Sequence, residues 1–215
     1  MSGLHAYSVN DILNTTERTQ VLYKLAAASS FLVGVIGALI AWMTAQWALA
    51  VGLTAPATVV VYLFSVRLVE LHLWEWGPAR DLLGISLPNI NGQWNGVVET
   101  RRRDGVQIAG NTGVMTIRQT WSTIGVAFET NKTISYSVGA FLTQGPSHLV
   151  LTIEYQADVR EPQKDDDQVQ AHKGTSTFRI PMNGREHDLS KIEVPYYTDH
   201  RETGIIRLTL AMNAA

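Results

Sequence analysis

The sequence predicts a membrane α-helical hairpin of two transmembrane helices followed by an all-β domain, a compact antiparallel eight-stranded β-barrel. Three observations predict it. The 215 residues hold 17 Lys plus Arg and 19 Asp plus Glu, yet Leu25 to Val66 contain none of them, a run of 42 positions. Beyond Pro88 the pattern changes to short segments alternating Val, Ile, Thr, Tyr and Phe with polar residues, broken by Gly, Asn and Asp. Those are strand and turn signals, not the period of a helix. The chain also contains no Cys, which removes disulfide frameworks, zinc–thiolate centres and cysteine nucleophiles.

Taken in order, residues 1–24 mix Asp11, Glu17, Arg18 and Lys24 with Ile12, Leu13, Val21 and Leu22. This composition predicts a polar lead-in helix capped near Ser8. Residues 25–73 form the hairpin. One span needs about 20 apolar residues to cross about 30 Å of hydrocarbon, so the charge-free run suits two. Leu25 to Trp42 is rich in Ala, Gly and Ser, which let membrane helices approach closely. Ala48 to Val66 is richer in branched aliphatics. Between them Trp42 and Trp47 bracket Met43-Thr44-Ala45-Gln46, the pattern of an interfacial aromatic belt at a hairpin tip. Gly52 to Pro56 is the competing turn. Arg67 and Glu70 favour the first division, because each would cost several kcal/mol near the bilayer centre, about 2.5–3.5 on insertion scales. A signal peptide has a shorter apolar core than this run. Arg18 and Lys24 precede the hairpin, Arg67 and Arg80 follow it, and the tip is uncharged, so the positive-inside rule puts both ends in the cytoplasm.

Residues 74–87 read as a linker, and 88–215 as the barrel. Its candidate strands are Gly92–Arg101, Gly113–Trp121, Ile124–Thr130, Thr133–Thr143, His148–Val159, Gln168–Pro181, Asp188–Val194 and Gly204–Met212. Closing eight such strands on themselves removes the exposed edges that invite aggregation. Alternation assigns Ile134, Tyr136, Val138, Ala140 and Leu142 to one face of the fourth strand. It groups Leu149, Leu151, Ile153, Tyr155 and Ala157 in the fifth, and Ile206, Leu208 and Leu210 in the last. Trp94 reads as packing for a closed barrel end.

No phosphate-cradling glycine loop, Ser elbow, HExxH or EF-hand pattern occurs, and no catalytic constellation emerges. The six His lack metal-ligand spacing, and Asp165-Asp166-Asp167 reads as a solvated loop. His172 beside Lys173 fits a surface position better than a ligand contact. The formal net charge of −2 argues against a polymeric nucleic-acid partner, which demands a basic surface. The densest polar-aromatic cluster runs from Val194 to Gly204, just before the last strand. Tyr196 and Tyr197 can stack on flat rings, Arg201 can fork to a phosphate, and Thr198 and Thr203 can complete hydrogen bonds. The same segment also suits a plug across the barrel end, with Tyr as packing and Arg as an ion-pair partner. Arg118, Arg179 and Arg207, on strands opposite to, or alternating with, apolar residues, are further candidates for an anionic ligand.

Two segments carry a family likeness: Pro88-Asn89-Ile90-Asn91-Gly92-Gln93-Trp94-Asn95-Gly96 and Tyr196-Tyr197-Thr198-Asp199-His200-Arg201-Glu202-Thr203-Gly204-Ile205-Ile206. In this order, after a membrane hairpin, the chain resembles the CBASS antiphage effectors that join two transmembrane helices to a minimal β-barrel. The resemblance implies a bacterial inner-membrane protein whose cytoplasmic barrel binds a cyclic dinucleotide from a partner nucleotidyltransferase. It further implies that binding promotes homo-oligomerisation and that clustered spans disrupt the lipid bilayer, killing the infected cell. No cofactor is implied beyond the activating ligand, and no catalysis. Two other readings stay open on the residues alone. One is a tethered barrel for an apolar small molecule, since Gly92-x-Trp94 opening eight strands is also similar to lipocalins. The other is a non-enzymatic membrane scaffold.

Overall fold

The computed structural model describes residues 4–6, 8–9, 12–44, 47–101, 105–144, 148–160, 170–183, 186–187, 189 and 192–211. They fall into two units, residues 12–87 and residues 1–11 with 88–215.

The first unit is helical. Helix α1 (Ile12–Thr44) and helix α2 (Trp47–Leu68) form the hairpin. Helix α2 runs through Gly52 and Pro56, so the chain reverses between Thr44 and Trp47, the first of the two divisions. A spacing of four or eight places Val21, Leu25, Ser29, Val33 and Ala41 on one buried face of α1. Gly37 lies on the same side; a Cβ added there would stand 3.1 Å from Thr54 Cγ2. That closeness is what the small residues permit. Outside this seam the helices expose Phe31, Leu39, Trp42, Trp47, Val60 and Phe64. Hydroxyls of Thr44, Thr58 and Ser65 donate to the carbonyls of Ile40, Thr54 and Val61 at 2.7–2.8 Å, so none needs water. The segments Glu17–Thr44 and Gly52–Leu73 are long and apolar enough to cross a membrane.

The ends of this unit differ from expectation. The lead-in is no separate helix: α1 begins at Ile12, and its polar first turns continue straight into the apolar stretch. Nor is the linker extended. A π-helical turn, Val69–Leu73, follows α2, and a short helix α3 (Gly77–Leu83) starts with Pro78 in its first turn. Gly84, at φ 80°, ends α3 in the left-handed region. Lys24 Nζ donates to the carbonyls of Leu82 and Leu83 at 3.1 and 2.8 Å, supplying a cation to the last turn of α3. Glu17 accepts the Ser86 N–H at 2.9 Å and the Ser86 hydroxyl at 2.5 Å. The polar residues of the lead-in therefore tie down the segment that the composition left as linker.

The second unit is a closed barrel. Its strands are β1 (Gly92–Arg101), β2 (Gln107–Gln119), β3 (Thr123–Thr130), β4 (Thr133–Gln144), β5 (His148–Val159), β6 (His172–Asn183), β7 (Ile192–Thr198) and β8 (Thr203–Leu210). Each pairs antiparallel with its neighbour in the cyclic order β3-β2-β1-β8-β7-β6-β5-β4, and β3 with β4 closes the ring. The closing ladder holds three residue pairs, Ala127↔Tyr136 to Glu129↔Ile134. Beyond it, His5–Ala6 pair antiparallel with Ile124 and Thr123, and Ser8–Val9 pair parallel with Phe141 and Leu142. Ser8 therefore lies in a strand pairing, not at a helix cap.

Register explains two departures from simple alternation. In β4 the partners of Ser137 and Gly139 are the adjacent Tyr155 and Glu154, so Val138 is the extra residue of a bulge. The bulge changes the phase of the strand: Ser137, Ala140 and Leu142 are buried, while Val138 is 48% exposed. Ile134, Tyr136 and Val138 therefore do not share the face of Ala140 and Leu142. In β7 the strand extends through Tyr196 and Tyr197 to Thr198, leaving only residues 199–202 as a turn. The anticipated loop or plug is mostly strand. The face assigned in β5 is found as expected, with Leu149, Leu151, Ile153 and Ala157 buried. In β8, Ile206 and Leu208 are buried and the terminal Leu210 is exposed.

Candidate ligand-binding site at the barrel mouth

The two ends of the barrel are filled differently. One end is packed solid by Trp94, Ile117, Ile124, Leu142, Leu149, Ile180, Ile192 and Leu208, all buried. Trp94 donates its indole N–H to the Ile90 carbonyl at 3.1 Å, which satisfies the one polar atom of a ring in an apolar floor. Gln119 crosses the same floor. Its side chain accepts the Ile90 N–H and donates to the Pro88 carbonyl, both at 2.9 Å. Trp94 thus packs the closed end.

At the other end the inward positions are small or hydroxylated, and space remains. The cavity has a volume of about 170 Å³ and opens to solvent at the mouth. Met115, Val126, Phe128, Ile153, Phe178 and Ile206 form its deeper apolar wall. Nearer the strand ends come Thr100, Asn111, Thr130, Thr133, His172, Thr198 and Glu202, with Ser135, Ser137 and Ser176 between. A wall so rich in hydroxyls fits a ligand with many polar atoms, not a purely apolar one.

Glycines make room for the rings in this wall. Gly174 on β6 and Gly204 on β8 face the lumen, and the ends of the Tyr155 and Tyr196 rings fill the space that a Cβ would take. At Gly174 an added Cβ would lie 2.5 Å from the Tyr155 hydroxyl, and at Gly204 2.5 Å from Tyr196 Cε1. Gly96 and Gly113 give the same clearance to Phe128, at 2.9 and 2.8 Å. The Tyr196 hydroxyl shares a 2.6 Å hydrogen bond with Thr100 Oγ1. Burial raises the pKa of both phenols; nearby Tyr196, Asp199 and Glu202 add to the effect on Tyr155, and Glu202 on Tyr196. Both rings are neutral hydrogen-bonding groups at physiological pH.

Of the eight candidate residues, the cavity gathers two. Tyr196 and Thr198 line it, and Thr198 is 1% exposed. Arg201 stands in the exposed turn between β7 and β8 at φ 63°. Tyr197 and Thr203 alternate with inward residues and lie on the outer surface. Arg118 is exposed between the buried Ile117 and Gln119, and Arg179 between the buried Phe178 and Ile180. Arg207 is also outside, where its guanidinium pairs with Glu99 and with Glu193 Oε1, the latter at 3.3 Å. Those two carboxylates raise its pKa. The fork that suited a phosphate is thus occupied by two carboxylates.

The sequence reading missed Tyr155, His172, Ser135, Ser137, Ser176 and Glu202 as cavity residues. His172 does line the cavity, and its Nδ1 lies 3.0 Å from the Gln170 carbonyl oxygen. The signal for Ser176 was the inward phase of Gly174-x-Ser176-x-Phe178. For the two serines of β4 it was hidden by the bulge. Among the described residues no group of three His, Asp or Glu comes together to hold a metal; Asp165–Asp167 lie outside them.

A closed barrel with one packed end and one polar, open mouth defines a receptor for a compact ligand. Residues 85–210 match the family described as Cap15, cyclic dinucleotide receptor domain. The chain belongs to that family of CBASS antiphage effectors, and its barrel is a sensor that binds a cyclic dinucleotide. No curated protein sequence matches the chain.

Proposed function

We propose that this protein is a membrane-resident antiphage effector in which cyclic dinucleotide binding at the barrel mouth drives self-association of the two apolar helices and disruption of the inner membrane. The carrying observation is the cavity itself: a mouth lined by Tyr196, Thr198, His172 and Glu202, in a receptor-family barrel whose chain also holds two helices long enough to span a bilayer. Bases enter the apolar interior beside Tyr155, Tyr196 and Phe128. The two phosphates stay at the rim, where Arg201 and Arg101 are exposed, since the described cavity wall contains no Lys or Arg. Arg118 and Arg207 play no part in binding on this reading.

A ligand activates only by its differential affinity for the associated state. Once barrels associate, the tethered spans see one another at high effective concentration. Their small-residue faces then pack further copies. Both termini and the barrel lie in the cytoplasm, where a nucleotide signal is made. The test is full-length protein reconstituted in dye-loaded vesicles of bacterial lipid composition. Addition of cyclic dinucleotide should release dye and shift the protein to larger assemblies, and Thr198→Val with Tyr196→Ala should abolish both. Binding without assembly or leakage would overturn the effector mechanism while leaving the receptor intact.

A further inference from the structure

Twenty residues separate Lys24 from Thr44 on α1, and twenty separate Trp47 from Arg67 on α2. At 1.5 Å per residue each stretch is about 30 Å long, the thickness of the hydrocarbon layer. With the reversal between α1 and α2 at one face of the bilayer, Lys24 and Arg67 both stand at the other. The chain that follows α2 is held against this level by two side chains of α1. Lys24 Nζ donates to the carbonyls of Leu82 and Leu83 at the end of α3. Glu17 accepts from the N–H and the hydroxyl of Ser86. Glu17 precedes Lys24 by seven residues, about 10 Å of helix. The chain therefore climbs away from the lipid between Leu83 and Ser86, and it comes closest to the lipid at the end of α3.

That end is apolar and open. Ala79 and Leu83, one turn apart, form the buried side of α3. Leu82 is 78% exposed, Trp76 60%, and Tyr23, beside Lys24, 73%. Pro78, one turn before Leu82, is exposed too. Trp and Tyr are enriched where hydrocarbon meets headgroups, and Lys or Arg at this level keeps its stem in apolar surroundings and its charge among the headgroups. The exposed surface also continues that of the helices below it, where Phe64, one turn before Arg67, is open.

We infer that α3 is an interfacial helix: Leu82, with Trp76 and Tyr23, docks into the boundary between headgroups and acyl chains at the level of Lys24 and Arg67. This is a third contact with lipid beyond the two spans, and it rests on the membrane reading proposed above. An apolar face in this position lies about 5–10 Å deep. Its ties to α1 make α3 a depth stop. The hairpin cannot sink or rise without moving Leu82 out of the boundary or pulling Lys24 from its two carbonyls.

The chain has no Cys, so single cysteines take a label cleanly. The experiment places nitrobenzoxadiazole on Leu82→Cys, Trp76→Cys, Val35→Cys and Lys173→Cys in the full-length protein. Each is reconstituted in phosphatidylcholine vesicles, whose lack of net charge leaves iodide unrepelled. Lipids with nitroxides at the headgroup, or shallow or deep on the acyl chain, read depth, and aqueous iodide reads access to water. The Val35 label should be quenched most by the deep nitroxide and the Lys173 label by iodide. The Leu82 and Trp76 labels should be quenched most by the headgroup or shallow nitroxides, with emission to the blue of the Lys173 label and weaker iodide quenching. Labels at Leu82 and Trp76 as open to iodide as that at Lys173, with Val35 deep, would overturn the interfacial helix and leave the spans standing. Shielding of both from iodide and from every nitroxide lipid would assign the face to protein, a second copy or this chain's own barrel, and overturn the lipid assignment. A Val35 label untouched by any lipid quencher would overturn the membrane reading itself, and this inference with it.

Discussion

Replacing Gly204 by Ala tests whether the cavity exists because glycines yield space to rings. A Cβ at this position would press on the Glu99 carbonyl oxygen and lie 2.5 and 2.6 Å from Tyr196 Cε1 and Cζ. The backbone oxygen belongs to the neighbouring strand, where Gly204 pairs with Thr100, so relief requires a strand shift and displacement of the Tyr196 ring. Overpacking of this kind costs typically about 1–3 kcal/mol. For a domain of this size that is a fall in melting temperature of roughly 3–15 °C. Displaced into the lumen, the ring would take the place that the proposed binding mode gives to a base. Losing one base–aromatic contact, about 1–3 kcal/mol, weakens the ligand by roughly 5- to 150-fold. The control is Gly139→Ala, whose Cβ would meet nothing closer than Glu154 Oε2 at 3.4 Å. Thermal unfolding read by tryptophan fluorescence, with titration of cyclic dinucleotide at a temperature where all variants are folded, separates the two effects. If Gly204→Ala behaves like Gly139→Ala in both assays, the clearance argument is wrong.

Other expectations follow from the same geometry. Gln119→Leu strands the Ile90 N–H and the Pro88 carbonyl in the barrel floor, costing about 2–6 kcal/mol at about 1–3 per buried unpaired group; denaturant titration should show a lowered midpoint with ligand affinity intact in the folded protein. Arg207→Ala should leave ligand affinity within about twofold, because its partners are Glu99 and Glu193 on the outer surface and exposed pairs contribute little; a tenfold loss by titration would restore it as a ligand residue. For pH, the raised Tyr155 pKa means the phenol is neutral in both states below about 10, so its contribution is complete there. Above that value the unfolded chain ionises first, and stability falls as pH rises toward the folded pKa. Tyr155→Phe should flatten this alkaline decline in chemical denaturation between pH 9 and 11, and an unchanged slope would count against it.

How much of this was readable from residues alone differs between the two halves. The hairpin needed only a charge census, because exclusion of charge from lipid acts on every residue of a span at once. Strand β5 could be bounded at His148 and Val159 because it alternates without interruption. The site was harder, for a local reason. Which side chains face a lumen depends on phase, and phase is reset by features that composition does not mark. Val138 looks like any other apolar strand residue, yet its bulge turns Ser135 and Ser137 inward and Ile134 and Val138 outward. Ion pairing is equally invisible before folding. Glu99, Glu193 and Arg207 come from three different strands, and only the register Ile205↔Glu99 and Arg207↔Glu193 brings them together. The Tyr196 segment was found because its residue types are unusual wherever they lie; its assignment to a loop failed because β7 needs only three consecutive partners on β6, Gly174 to Ser176, to extend that far.

Arg201 gives the sharpest separation of binding from folding. It is the non-glycine residue at positive φ among those described, at 63°, and its N–H donates to the Thr198 carbonyl at 3.0 Å to close the turn. An L-residue in this region carries about 1–2 kcal/mol of strain. Arg201→Gly removes that strain, while the added freedom of the unfolded chain returns about 0.4–1 kcal/mol. The variant should therefore be as stable as the parent or up to about 1.5 kcal/mol more stable. A side chain kept in a strained position at the rim has a use that stability does not explain. If that use is holding a phosphate of the ligand, Arg201→Gly should weaken cyclic dinucleotide binding about tenfold at low salt. Arg201→Lys should recover part of the loss, and the difference from the parent should shrink as ionic strength rises. A variant with raised melting temperature and undiminished affinity would place the phosphates elsewhere on the rim.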